Sequence, residues 1–289
     1  MWMRIALLAL LACTALSGIV ASGGAASEGA RRHLIVYWST NPWPSIWSIR
    51  TDGSHPHRIL RSRNNAKRPR LSPDRRWVAF DGASPGKPAL SDFDIQVVQP
   101  DGSGRKTLTD STDWDDTDPQ WSPDGQLIAF DRRPRPAVDD RDLTIWTVRS
   151  DGSDARPLVA GFSPRWSPDG TKLVYATPEQ DLAVLDPRTG TSSVLLTTPE
   201  LEQPEGWSPD GMQILFVRYG DRSSAIFVAK PDGTEVRRLA VGSAASWSPK
   251  GLRIVYTRRF PSSDLYVMNA DGSHKRRLAL AFAADPDWR

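Results

Sequence analysis

The heptad Pro119-Gln120-Trp121-Ser122-Pro123-Asp124-Gly125, followed by the apolar run Leu127-Ile128-Ala129-Phe130, decides the fold of this chain of 289 residues. Proline sets φ for the first corner of a turn, aspartate accepts hydrogen bonds from the nearby backbone, and glycine supplies the left-handed residue. The heptad therefore predicts a tight turn. The Pro-x-Trp before it and the apolar run after it predict the two strands of a β-hairpin.

The same hairpin signal recurs along the chain, and a second one alternates with it. The other copies of the first are Leu71-Ser72-Pro73-Asp74, Pro164 to Gly170, Trp207 to Gly211 and Trp247-Ser248-Pro249-Lys250-Gly251. The second signal is an apolar strand ending in Asp-Gly, found at Asp52-Gly53, Asp101-Gly102, Asp151-Gly152, Asp232-Gly233 and Asp271-Gly272, with Asp186-Pro187-Arg188-Thr189-Gly190 in the remaining unit. Each unit is thus predicted to hold four antiparallel strands, A to D, in about 40 to 50 residues, the period of a propeller blade.

The two ends of the repeat region complement each other. The first unit lacks strand A and begins directly with Leu34-Ile35-Val36-Tyr37, whereas the chain ends in a Pro-x-Trp strand, Asp285 to Arg289, that has no partner. We expect Pro286-Trp288 to join blade 1, because this leaves no sheet edge open within the ring. The predicted fold is therefore an all-β, six-bladed β-propeller of four-stranded antiparallel blades over residues 33–289.

The N-terminal segment has the composition of a secretory signal. Residues 1–26 contain Arg4, an apolar run from Ile5 to Val20, and a set of small residues, which predicts a cleaved signal peptide followed by a linker over 27–32. The apolar run is shorter than the roughly 20 residues that a spanning helix needs, so we expect no transmembrane span in the mature chain. The only cysteine, Cys13, follows Leu10-Leu11-Ala12, which resembles a lipoprotein signal. The alternative is therefore a lipid anchor at Cys13, and both interpretations place the protein outside the cytoplasm, periplasmic or secreted.

The repeats resemble the WD-like β-propeller repeats of periplasmic TolB, most closely in Asp118 to Phe130 and in Asp264 to Gly272. This resemblance covers essentially the whole mature chain and implies a protein that binds another protein or a cell-envelope component. TolB carries an additional N-terminal α/β domain, for which we expect no room here. The repeats are also similar to the propellers of prolyl oligopeptidase-type enzymes and of some pectic-sugar lyases, so the fold by itself names no chemistry.

Strand order assigns the loops to two faces. The A–B turns (Ser-Pro-Asp-Gly) and the C–D turns (Asp-Gly) share one face, which we call the short-turn face. The B–C loops and the D–A crossovers share the other, which we call the variable face because its loops differ in length, as in 39–45, 82–91 and 132–142. Variable loops on a rigid scaffold are typical binding elements.

The variable face carries the residues that we predict to contact a partner. One crossover is basic (Arg61, Arg63, Lys67, Arg68, Arg70) and the next is acidic (Asp110, Asp113, Asp115, Asp116, Asp118). The predicted partner-binding set is Trp43, Trp114, Asp115, Asp116, Asp118, Arg68 and Arg70, with the two tryptophans as anchors. The alternative is that these charges pair with each other. A net charge of +3 with balanced blades predicts no binding to nucleic acid, and we expect a monomer.

The acidic crossover and the central channel offer candidate metal and catalytic sites. Asp113, Asp115, Asp116 and Asp118 offer oxygen ligands for Ca²⁺, but the twelve-residue calcium-loop pattern is absent, so we expect no cofactor, with Ca²⁺ as the alternative. Gly-x-Ser-x-Gly, His-Glu-x-x-His and phosphate-loop motifs are also absent, which favours a non-enzymatic protein. The rival hypothesis is a hydrolase or lyase acting on a peptide or saccharide in the central channel through Arg70, Arg165, Glu205 and Asp287. Strongly shifted pKa values in that channel would favour the rival.

The tryptophans of the A strands are predicted to be structural. Trp121, Trp166, Trp207, Trp247 and Trp288 repeat beside each A–B turn. We interpret them as packing between blades rather than as a ring for stacking sugars, and removing one should cost about 3–5 kcal/mol.

Overall fold

The computed structural model describes residues 34–40, 44–61, 65–84, 92–135, 142–221, 223–258, 263–279 and 283–289. These residues form twenty-four strands in six four-stranded antiparallel sheets. The predicted all-β propeller with six blades is therefore confirmed. Trp43, Arg63 and Cys13 lie outside the described residues, as do the predicted signal peptide and linker.

The strands follow the chain in order around the ring. Blade 1 contains β1 (Leu34–Ser39), β2 (Ser45–Arg50), β3 (His57–Arg61) and the last strand, β24 (Ala283–Trp288). Blade 2 contains β4 (Lys67–Leu71), β5 (Val78–Ala83), β6 (Phe93–Val98) and β7 (Lys106–Thr107). Blade 3 contains β8 (Trp114–Trp121), β9 (Leu127–Pro134), β10 (Thr144–Arg149) and β11 (Arg156–Ala160).

The second half of the ring repeats this order. Blade 4 contains β12 (Phe162–Trp166), β13 (Leu173–Ala176), β14 (Leu182–Asp186) and β15 (Thr191–Leu196). Blade 5 contains β16 (Leu201–Trp207), β17 (Ile214–Tyr219), β18 (Ser224–Ala229) and β19 (Arg237–Val241). Blade 6 contains β20 (Ser243–Trp247), β21 (Arg253–Arg258), β22 (Asp264–Asn269) and β23 (Arg276–Ala279).

The C-terminal strand closes the ring as predicted. Strand β24 pairs antiparallel with β1, with Trp288 opposite Ile35 and Asp287 opposite Val36. The backbone N–H of Trp288 also donates to Ser246 Oγ of blade 6 at 3.1 Å. One strand therefore joins the first and last blades, and among the sheets of the described residues only this one contains segments from both ends of the ring.

The A–B turn is held by a repeated set of hydrogen bonds. In blade 3, Ser122 Oγ donates to Asp124 Oδ1 at 2.6 Å and accepts from Leu127 N at 2.9 Å, while Gly125 N donates to Ser122 O. The serine donation and the Gln126 N–H lower the pKa of Asp124. Serine and aspartate thus fix the turn locally, which is why the motif predicts it from sequence.

The hydrophobic core lies between blades rather than within one sheet. Each of the six clusters of buried apolar side chains among the described residues combines neighbouring blades. Trp121, for example, packs with Ala79 and Ile95 of blade 2 and with Ile128 and Phe130 of its own blade. Its indole N–H donates to the carbonyl of Arg70 at 3.1 Å. The other four A-strand tryptophans occupy corresponding interblade clusters.

The inner strands contain a bulge that the sequence did not predict. In five blades the residue before the Pro or Ala of the A strand has a positive φ, at Arg68 (46°), Asp118 (51°), Ser163 (55°), Ala244 (44°) and Asp285 (47°). The pairing register with strand B shifts at the same place. A bulge re-aims the neighbouring side chains, and in two of these strands it brings Asp118 together with Arg165.

Candidate functional site

A cavity of about 330 Å³ opens at the centre of the short-turn face. We call it the central mouth. Its rim contains the prolines of five A–B turns, and its walls contain A-strand side chains from around the ring. Its charged walls are formed by Arg70, Arg75, Arg165, Glu205, Asp287 and Arg289. The four residues of the rival catalytic hypothesis therefore lie around one cavity, together with two arginines, Arg75 and Arg289, that the sequence pattern did not single out.

The floor of the mouth contains a buried ion pair shared by three blades. Asp118 Oδ2 lies 2.9 Å from Arg165 Nη1, and Asp118 Oδ1 lies 3.4 Å from Arg70 Nη2. All three side chains are buried. Burial opposes ionisation of Asp118, but the charges of Arg165, Arg70 and Arg68 outweigh it and lower its pKa to about 2. This carboxylate therefore stays ionised at neutral pH and fixes both guanidinium groups in place.

Two further buried aspartates lie beneath this ion pair, toward the variable face. Asp81 is paired with Arg68 at 3.0 Å, and burial raises its pKa. Asp131 accepts a hydrogen bond from Ser163 N at 2.8 Å, and burial together with the charge of Asp118 raises its pKa well above the ordinary value. A second cavity, of about 400 Å³, has Asp81, Asp118 and Asp131 in its wall. The pKa values of three acidic groups in one buried cluster are thus shifted in different directions, lowered for Asp118 and raised for Asp81 and Asp131, because their partners differ.

The sequence contained an unused signal for these two aspartates. Asp81 follows Phe80 and Asp131 follows Phe130 at the same position of strand B, where blades 4 and 5 have Ala176 and Val217. An acidic residue at a buried position that carries no charge in the other blades indicates a polar partner inside the fold.

Glu205 is a carboxyl group of the mouth whose pKa is raised. Burial raises its pKa to about 8, against the opposing charges of Arg165 and Arg70. Asp287 instead accepts a hydrogen bond from Leu71 N at 2.8 Å, which links the C-terminal strand to blade 2. At neutral pH Glu205 therefore carries a proton, and the mouth presents four arginines, Arg70, Arg75, Arg165 and Arg289, together with Asp287, above the Asp118 pair.

The predicted partner-binding residues separate into two groups. Trp114 begins β8 on the variable face, is 37% exposed, and has Arg132 6.0 Å from its ring centroid. Asp116 is bound by Arg132 through two contacts of 2.7 Å, and Asp115 accepts from Arg135 Nε at 2.8 Å. Asp118, Arg68 and Arg70 instead lie toward the axis. Asp115, Asp116 and Asp118 of the acidic crossover are thus engaged by arginines of their own and neighbouring blades.

The acidic crossover does not gather its carboxylates around a single point. In the described part of the chain, no three His, Cys, Asp or Glu side chains form a group that could hold a metal ion. Asp113 is exposed and accepts from Thr112 Oγ1 at 3.3 Å.

Six four-stranded blades, Pro-x-Trp inner strands and Ser-Pro-Asp-Gly turns around a charged channel define the class: the chain is a TolB-like six-bladed β-propeller. The protein is similar to a particular relative, the Protein TolB homolog of Chlorobium luteolum (strain DSM 273 / BCRC 81028 / 2530), with 31% identity over 267 residues that cover 85% of this chain and 56% of that protein. The chain therefore spans little more than half the length of this relative. No protein-family model matches the chain.

Two solved structures support the fold assignment. TolB from Acinetobacter baumannii superposes with a TM-score of 0.75 at 20% identity, covering 89% of this chain and 66% of that one. An oligogalacturonate lyase in complex with manganese superposes with a TM-score of 0.58 at 16% identity, covering 86% of this chain and 75% of that one. At these identities the likeness extends to the fold alone. Among the described residues, no helix has the length and apolarity that crossing a membrane requires.

Proposed function

We propose that the protein is a secreted, non-enzymatic β-propeller scaffold of the cell envelope, which binds a protein or another envelope component through the central mouth. The sequence relationship to a TolB homolog and the signal-like segment at residues 1–26 support this function and an extracytoplasmic location. The single observation that carries it is the mouth itself, a concave site with fixed charges on rigid strands.

Two arginines of the mouth, Arg70 and Arg165, are fixed in place by Asp118 before any ligand binds. Asp118 fixes Arg70 and Arg165, and Arg165 Nε is buried without a hydrogen-bond partner among the described residues. A group held in place before binding loses little conformational freedom on binding, which favours affinity. The charge excess indicates that the bound segment carries acidic side chains.

The test is recovery of partners from an envelope fraction with the purified protein as bait. Arg289→Glu reverses one charge of the mouth at a residue that is not itself a member of the Asp118 ion pair. The matched control is Trp114→Ala on the variable face. We expect the wild type and Trp114→Ala to recover the same partner and Arg289→Glu to lose it.

The other outcomes are equally informative. Loss with Trp114→Ala, or with Trp43→Ala and Trp114→Ala together, and retention with Arg289→Glu would move the site to the variable face. Recovery of nothing by the wild type would contradict a binding function.

A second candidate function is favoured by Glu205. A carboxylic acid with a pKa of about 8 carries a proton at neutral pH, as a general acid must, and it lies in a cavity beside Arg165. This is the shifted pKa that would favour a hydrolase or lyase acting on a peptide or saccharide. Incubation with oligogalacturonate, followed by the ultraviolet absorbance of the unsaturated product, tests the lyase form, and a peptide library followed by mass spectrometry tests the hydrolase form. Activity that disappears in Glu205→Gln would support this candidate, and inactivity of the wild type on both substrates would contradict it.

A further inference from the structure

Blades 5 and 6 carry exposed apolar side chains at a turn position where the other blades are polar. Leu252 follows Gly251 in the A–B turn of blade 6 and is 68% exposed, and Met212 at the equivalent position of blade 5 is 64% exposed. The corresponding residues of blades 2, 3 and 4 are Arg76, Gln126 and Thr171. The turn itself therefore does not require an apolar residue here.

The two apolar side chains lie on turns that touch. A Cβ placed on Gly251 would lie 3.3 Å from Cδ of Pro209, so the A–B turn of blade 6 packs directly on that of blade 5. Neither Leu252 nor Met212 lines the central mouth. They project from the short-turn face beside the mouth rather than line a cavity.

The surroundings of Leu252 are basic. The A–B and C–D turns of blade 6 carry Lys250, Arg253, Lys275, Arg276 and Arg277 against the single acidic residue Asp271, a net charge of +4, and all five basic side chains are exposed. The equivalent segments of blade 3 carry Arg156 against Asp124, Asp151 and Asp154, a net charge of −2. Arg277 also lies 3.8 Å from the buried Asp264, which offsets part of its charge. The equivalent segments of blade 5 carry Arg237 and Arg238 against Asp210, Asp232 and Glu235, a net charge of −1, so the basic character around Leu252 belongs to blade 6.

We propose that this surface, formed by Met212, Lys250, Leu252, Arg253, Lys275 and Arg276, docks onto an anionic lipid surface. Projecting apolar tips need no matching pocket when the partner is a bilayer, because the acyl region accepts them and the phosphate groups pair with the surrounding Lys and Arg side chains. A folded protein partner would instead have to supply a complementary hollow. The surface is separate from the central mouth, so this proposal goes beyond the proposed function and does not rest on it.

The test uses a fluorophore that reports contact at this surface itself. Membrane binding by residues 1–26 alone therefore does not produce the signal. An environment-sensitive fluorophore is attached to Leu252→Cys in the full chain with Cys13→Ser. The control carries the fluorophore at Val194→Cys, which is 55% exposed on β15, a strand without charged residues. Vesicles contain phosphatidylcholine alone or phosphatidylcholine with phosphatidylglycerol.

We expect a blue shift at position 252 with the anionic vesicles, none with phosphatidylcholine alone, and none at position 194. Adding Lys250→Glu and Arg253→Glu should raise the concentration of anionic vesicles needed for half of the shift by at least about tenfold. Each basic residue near an anionic surface contributes roughly fivefold in affinity. Circular dichroism checks that each variant is folded.

The absence of a shift at position 252 with anionic vesicles would overturn the proposal, as would an equal shift at position 194. The same shift produced by soluble polyglutamate would show that the surface takes acidic polymers, and would overturn the assignment to lipid.

Discussion

Trp288 lies directly opposite Ile35 in the sheet of blade 1, so the last strand of the chain pairs with the first described strand. The indole of Trp288 packs in the cluster that contains Ile35 and Tyr37 of blade 1 and Val255 and Leu265 of blade 6. Integrity of the ring therefore depends on this one strand.

Truncation of Trp288 should lower the free energy of unfolding more than truncation of an exposed tryptophan. Trp288→Ala leaves a cavity between blades 1 and 6 and is expected to cost about 3–5 kcal/mol. Trp114→Ala is the matched control, because its side chain is partly exposed, and should cost less than about 1 kcal/mol. Urea unfolding followed by far-ultraviolet circular dichroism measures both. Equal losses in the two variants would contradict the closing role of Trp288.

A methyl group on Gly53 should weaken the contact between blades 1 and 6. Gly53 has a φ of +87°, and a Cβ there would lie 2.4 Å from the carbonyl oxygen of Leu278. Gly190 has a φ of +73° but has nothing within 4 Å of such a Cβ, so Gly190→Ala isolates the cost of the backbone conformation, about 1–2 kcal/mol. Gly53→Ala should destabilise by a further 1–3 kcal/mol, roughly the cost of overpacking. Thermal unfolding of the two variants side by side measures the difference, and a Gly53→Ala protein no less stable than Gly190→Ala would show that the blades can separate without cost.

Removal of the Asp118 charge should leave two buried arginines without compensation. Asp118→Asn is expected to cost about 3–5 kcal/mol, the usual penalty for breaking a buried ion pair on one side. Because the pKa of Asp118 is lowered to about 2 in the folded protein, its contribution is present above pH 4, roughly the pKa of an aspartate in the unfolded chain, and is lost as the pH falls through about 2. Equilibrium unfolding at pH 7 measures the cost, with the exposed Asp113→Asn as the control. A loss no larger than that of the control would mean that Arg70 and Arg165 find other partners.

Glu205 should make the wild type less stable at alkaline pH. Its folded pKa of about 8 lies above the ordinary 4.5, so its contribution to stability is full below about pH 4.5 and is lost as the pH rises through 8. The wild type should therefore lose up to about 1.4 kcal/mol per pH unit relative to Glu205→Gln between pH 5 and 8, since the amide does not titrate. Urea unfolding at pH 5, 6.5 and 8 gives the two slopes, and the exposed Glu179→Gln should follow the wild type. Parallel curves for wild type and Glu205→Gln would contradict the raised pKa.

Local hydrogen bonding explains why so much of the fold could be predicted. The Ser122 and Asp124 side chains hold their turn by hydrogen bonds within five residues. The motif therefore predicts the same turn wherever it recurs. The missing A strand at Leu34 and the surplus strand at Trp288 then fixed the blade count and the closure. The bulge at Asp118 could not be predicted, because a left-handed aspartate before a proline has no local signature.

The candidate site was predictable only in part. The positions of Arg70, Arg165, Glu205 and Asp287 follow from their place directly after the proline of the Pro-x-Trp-type segments, and they do lie around one mouth. Asp81 and Asp131 were missed because their partners, Arg68 and Ser163, belong to another strand or another blade. The involvement of Arg289 likewise depends on where β24 enters the ring.

The sequence by itself determined the repeating hairpins, the six blades and the strand that closes them, because each of these is encoded by residues close together in the chain or by a mismatch between its two ends. Only the tertiary structure decided which charged groups meet. Asp118 and Glu205 lie on A strands and Asp131 lies on a B strand, and burial and the arginines supplied by neighbouring blades set their pKa values apart. These pKa values depend on contacts across the channel between residues of different blades, and the sequence of a single blade does not contain those contacts.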